Sequence, residues 1–184
     1  MQVISVFSDL SRRLASLRRD QRGVSAVEFA MLLPLMVTLY LGAVEISQGV
    51  AINRKVTLTS RTVADLASQV SGVSGSEMTN LLNASASVVS PFDASKLKVT
   101  VSQVKIDANS NATIDWSETL NGTKRAKGSS VTLPTALKVA DSYLIWSEVS
   151  YYYTPTIGYV VTGSLNLKDQ IYMRPRISDK VTYQ

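Results

Sequence analysis

The chain has 184 residues, 45% of them apolar and 18% charged, enough for one ordinary domain and an appendage and too few for two large domains. It has no cysteine and no histidine, which excludes disulfides, Cys/His zinc sites, thiol nucleophiles and every histidine-based triad or general base. Nineteen Lys/Arg against fourteen Asp/Glu leave +5; Arg12, Arg13, Arg18, Arg19 and Arg22 with Asp9 and Asp20 account for +3 of it, so everything after Arg22 carries only +2. A balance so near neutral argues against a nucleic-acid-binding domain, and nucleic acid is not expected as a partner.

Residues 1–23 form a basic leader. Within it Val3, Phe7, Leu10, Leu14 and Leu17 recur at three and four with arginines among them, the pattern of an amphipathic helix lying on an anionic leaflet; an unordered basic n-region fits the same residues. Residues 24–44, VSAVEFAMLLPLMVTLYLGAV, contain one charged group, Glu28. At about 1.5 Å per residue such a helix is roughly 32 Å long, the thickness of a hydrocarbon core, and is expected to span a membrane. The arginines precede the span, and the first basic residues after it are Arg54 and Lys55. The positive-inside rule therefore puts the N-terminus in the cytoplasm and residues 45–184 outside. Leu41-Gly42-Ala43 is a poor signal peptidase site, and the apolar run exceeds a typical h-region. Pro34 is expected to kink the span by freeing a backbone carbonyl.

From Glu45 to about Val70 the apolar positions thin to one helical face, so the helix should continue beyond the membrane. Ser71–Ser76 is a breaker, and Glu77–Leu82 suggests a second, shorter helix. After Pro91 the spacing changes to alternation. Leu97–Ile106 reads as a strand with a slip near Ser102-Gln103, Asp107–Asn111 as a turn, and Thr113–Leu120 as its hairpin partner. Asn121–Ser130 is a polar, basic loop. Tyr143–Tyr153 and Leu165–Met173 read as third and fourth strands, Ile157–Gly163 as an apolar linker, and the tail as polar. The predicted fold is α+β: a long N-terminal helix, transmembrane in its first half, packed on a small antiparallel sheet, pilin-like in outline.

The stretch Arg22-Gly23-Val24-Ser25-Ala26-Val27-Glu28-Phe29 sets a basic leader, a boundary glycine and a glutamate five residues later inside an apolar run. Here the chain resembles a type IV-like prepilin, and among these the TadE/TadG-like pseudopilins of the tight-adherence (Flp) pilus system. Further anchors of the resemblance are Pro34 and Leu41–Glu45, Asp115-Trp116-Ser117, Ser147–Tyr151, Tyr153 with Pro155, and Met173–Arg176.

The resemblance implies cutting after Gly23 by an aspartyl membrane peptidase, which would free Val24 as the new N-terminus. It also implies a bacterial inner-membrane protein with a periplasmic domain, other pilin-like subunits and pilus assembly machinery as partners, and a role in cell adhesion. Glu28 would then sit one turn from Val24, where a new amine offsets the cost of a carboxylate at membrane depth and sets the register between subunits; the alternative is a glutamate that snorkels to the headgroups. Val24 stands where ordinary type IV pilins carry phenylalanine, and Phe29 where Flp-type sequences commonly carry tyrosine. An uncleaved bitopic scaffold of the envelope machine is therefore the second reading.

The chemistry-bearing residues assign no catalytic, cofactor or metal site. Asp107, Asn109, Asn111 and Glu118 have the spacing of an EF-hand loop, but Ala112 stands where that loop needs glycine, and an Asx-stabilised hairpin turn explains them. Asp115, Glu118, Asp141 and Glu148 lie in separate segments with no spacing suited to acid–base work, and no S-x-x-K motif occurs, so no enzyme is expected. The aromatic group Tyr143, Trp146, Tyr151, Tyr152 and Tyr153 reads either as sheet packing or as an adhesive face.

Overall fold

The computed structural model describes residues 22–155, 158 and 163–184. The leader's proposed amphipathic helix and most of the linker Ile157–Gly163 lie outside them. The chain divides into two compact units, residues 1–44 and 45–184.

Helix α1 runs from Arg22 to Ser68 with Pro34 inside it. Pro34 stays in helix, and Thr38 Oγ1 donates to its carbonyl at 2.8 Å, as hydroxyls of mid-helix threonines do. In the second unit Ile52, Val56, Val63 and Ala67 repeat at helical spacing and are buried, forming the stripe that packs on the sheet. Ser60 and Ala64 lie between them, fully buried, and small enough for close approach; Ser60 Oγ donates to the Ser147 carbonyl at 3.4 Å. The helix ends at Ser68, two residues before the expected limit, where Ser68 Oγ bonds back to the Asp65 carbonyl at 2.8 Å.

Strand β1 is the dipeptide Gly72–Val73 and helix α2 is Gly75–Ala86, longer at both ends than the expected Glu77–Leu82. Its start is a capping box. Ser74 Oγ accepts from Glu77 N and the Glu77 carboxylate accepts from Ser74 N at 2.8 Å, so the predicted breaker also holds the helix's N-cap. The Glu77 carboxylate accepts from Ser74 N and also from Ser74 Oγ at 2.8 Å, and these two bonds hold its carboxyl below the ordinary range. Met78 and Leu82, one turn apart, enter the core.

Strands β2 (Leu97–Ile106), β3 (Ala112–Leu120), β4 (Ser142–Tyr153) and β5 (Leu165–Met173) form one antiparallel sheet in the order β3–β2–β4–β5. Leu97, Val99, Val101, Trp116, Ile145 and Val149 are buried together in the core that includes the α1 stripe. Alternation turns Val104, Ile106, Leu144 and Trp146 to the opposite face, and the extra residue at Asp115 turns Ala112 and Ile114 there too; Leu133 from the following loop covers them as a second, smaller core. The expected slip is present at Gln103/Val104, but the extra residue is Asp115 on β3: Gln103 faces Trp116 and Val104 faces Ile114.

The tail is not merely polar. Thr182–Tyr183 forms β6, pairing parallel with β1, and Val181 is buried. Fully buried Gln103 holds it, accepting from Val181 N at 2.7 Å through Oε1 while its Nε2 donates to Asp115 Oδ2 at 2.8 Å. Trp116 Nε1 donates to the Val181 carbonyl at 3.0 Å, and the Arg176 guanidinium reaches Asp65 at 2.7 Å. A two-residue strand has no periodicity to read, so the hydrophobic pattern gave no sign of it.

Candidate membrane and assembly helix

The first unit offers a continuous apolar surface. Large side chains from Val24 to Tyr40 are exposed on every side of α1, reaching 76% at Met31 and 69% at Tyr40. The most apolar 18-residue stretch has mean hydropathy 1.9, and the helix is long and apolar enough to cross a membrane. Exposed apolar area on this scale is unfavourable in water and suits lipid or the flank of another apolar helix.

Gly23, Val24 and Glu28 all lie in the opening turns of this helix. Among the described residues, and apart from the helix's own adjacent backbone, nothing lies within 4 Å of the position a Cβ would take at Gly23, so packing among them does not demand glycine there. Val24 is half exposed, and Glu28 follows it by four residues, about one turn. Glu28 is exposed and has no hydrogen bond or ion pair among the described residues. Its carboxylate is therefore available to a group outside the chain.

Glu45, read from sequence only as the end of the apolar run, is 2% exposed in the second unit. Its backbone carbonyl accepts from the buried Tyr153 hydroxyl at 3.4 Å. Burial first and the Glu45 charge second push the Tyr153 phenol up. Gly49, one turn further, packs beside this ring: a Cβ there would lie 3.6 Å from Tyr153 Cε1, an ordinary contact. The signal that could have found this is an acid placed directly after a segment, residues 24–44, whose only acid is Glu28.

The remaining sequence candidates separate. Asp107 is occupied by its own turn, Oδ1 accepting from Asn109 N and Asn111 N at 2.9 and 2.8 Å and Oδ2 from the Asn111 amide at 3.0 Å. The Asn111 bonds hold its carboxyl below the ordinary range. Glu118 lies near the far end of β3, bound to Lys124 and to the Tyr183 hydroxyl, each at 2.7 Å. Among the described residues no group of three or more acids is placed to hold a metal ion. Of the aromatic group, Trp146, Tyr151 and Tyr153 are buried and Tyr152 is 55% exposed, so packing accounts for most of it. Sequence reasoning missed one cluster. Arg125, from the basic loop, grips Glu148 with two hydrogen bonds of 2.7 Å and lies 4.1 Å over the Trp146 ring, which stacks on Tyr172.

Residues 23–65 match the family model described as TadE-like protein. That segment is similar to the TadE-like family. The match opens at Gly23, carries Val24 and Glu28, and ends three residues short of the end of α1, so it covers the helix and none of the sheet. No curated protein and no solved structure matches the chain.

Proposed function

We propose that this TadE-like chain is a membrane-anchored pilin-like (pseudopilin) subunit that takes part in assembling a tight-adherence (Flp) type IV-like pilus. The observation that carries the reading is the coincidence of the family match with a helix whose exposed apolar flanks hold an unengaged carboxylate at Glu28. Arginines ahead of the span support a cytoplasmic N-terminus and a periplasmic sheet domain at the inner membrane. The partners are other pilin-like subunits and the assembly machinery, with a prepilin peptidase acting at Gly23–Val24. The role is structural, and no reaction is assigned to the chain.

One observation favours the uncleaved bitopic scaffold. Helix α1 already includes Arg22 and Gly23, so the bond after Gly23 lies in helical backbone that a peptidase would have to unwind. The intact mass of the protein from native membranes separates the two. A processed subunit has lost residues 1–23, and Gly23→Leu retains them while the sheet domain folds as before. Identical masses for wild type and variant, apart from the substitution, support the scaffold and remove the processed subunit.

A further inference from the structure

The sheet face opposite α1 is covered by Leu133 and its neighbours at one end only. At the other end lies an open groove of about 660 Å³, within the usual range for small-ligand sites. Its floor is β2, β4 and β5, and its wall is the loop after β3. That wall is fixed in place. Asn121 Nδ2 donates to the Leu97 carbonyl at 3.0 Å, and a Cβ at Gly122 would come within 2.6 Å of Thr119 Oγ1, so only glycine lets the loop lie this close. Arg125 closes the wall by its grip on Glu148 and its seat over Trp146.

Register aligns Lys98, Ser150 and Lys168 in one row across three strands. The two lysines thus stand on the same face, their strands about 10 Å apart. Both are exposed, and among the described residues neither has an ion pair. Of the carboxylates lining the groove, Glu148 is neutralised by Arg125, while Asp169, accepting the Gln170 N–H at 2.8 Å, keeps its charge, so Lys98 and Lys168 less Asp169 leave the groove a net +1. Thr100, Thr123, Ser150 and Gln170 line the space with groups that both donate and accept hydrogen bonds. Exposed Tyr152 lies one row beyond Ser150 on the same face.

We propose that this groove binds a segment of an acidic polysaccharide, with Lys98 and Lys168 holding its carboxylates, the hydroxyl and amide side chains meeting its hydroxyls, and Tyr152 stacking on a sugar ring. Charge complementarity selects an anion, and the paired donors and acceptors select a polyol. An acidic peptide fits less well. Floor strands β2 and β4 are bonded on both sides, so a peptide would find free backbone only along β5, the edge strand, which is why hexaglutamate is the competitor to test.

The test uses the full chain in detergent micelles at low salt, titrated with trigalacturonate and followed by amide NMR. The expected result is saturable binding that moves the Ser150 and Gln170 amide signals. The double variant Lys98→Ser/Lys168→Ser should weaken it by about a hundredfold, roughly tenfold for each charge-assisted contact. Tyr152→Ala should weaken it several-fold, while Lys138→Ser, on an exposed loop, should leave it unchanged. Neutral maltotriose should not bind. The proposal is overturned if trigalacturonate does not bind, if its signals map elsewhere, if the double variant binds equally well, or if hexaglutamate binds as tightly.

Discussion

Replacing Gln103 with leucine tests whether the C-terminal segment is latched to the sheet. The side chain is fully buried, and the exchange nearly conserves volume while deleting an acceptor and a donor. Val181 N–H, itself in a buried residue, then loses its 2.7 Å partner, which costs about 1–3 kcal/mol for an orphaned buried donor. Asp115 loses a 2.8 Å hydrogen bond, adding about 1.5 kcal/mol for a bond to a charged group. Leucine returns about 1 kcal/mol through its apolar surface. The net expectation is a loss of about 1.5–3.5 kcal/mol. Urea unfolding of the chain in micelles, followed by fluorescence of the two buried tryptophans Trp116 and Trp146, reads it directly. Hydrogen exchange at the Val181 amide should accelerate in parallel. An unchanged unfolding midpoint together with unchanged Val181 protection would refute the latch.

Ser147→Ala should raise stability by about 1 kcal/mol, because the Ser147 hydroxyl is buried without a hydrogen-bond partner while Ser60 binds only its backbone carbonyl; a clear loss in thermal melts would contradict this. The Tyr183 hydroxyl donates to Glu118, and this bond first, then burial, pushes the phenol up. Its contribution is therefore complete below about pH 10 and lost as pH rises through the elevated folded value. Tyr183→Phe should flatten the alkaline fall in stability, and an unaltered pH profile would remove Tyr183 as its cause.

The α+β outline was legible because its signals are long. Twenty-one nearly uninterrupted apolar residues, alternation in Leu97–Ile106 and the Asx cluster at Asp107–Asn111 each depend on several residues agreeing. The structure places α1, β2 and the turn accordingly, with the Asp107 carboxylate accepting from the Asn111 backbone N–H. What was hidden depends on single polar contacts between distant segments. Gln103 looks like an error in an alternating strand until its 78-residue reach to Val181 is known. Arg125 looks like one cation in a solvated loop until Glu148 and Trp146 are found beneath it. Glu28 was conspicuous for the opposite reason, being the only charged residue between Val24 and Val44.

The central claim is that the apolar half of α1 joins other pilin-like subunits through Glu28. A photoreactive amino acid at Leu39, 65% exposed on that helix, introduced into the protein in native membranes, measures this contact. The account predicts crosslinks to pilin-like subunits in the wild type and their loss in Glu28→Gln, with Glu28→Asp partly restoring them, since a buried amine left without its carboxylate is strongly unfavourable. The same yield of subunit crosslinks from Glu28→Gln as from the wild type, or crosslinks to lipid alone in both, would contradict it.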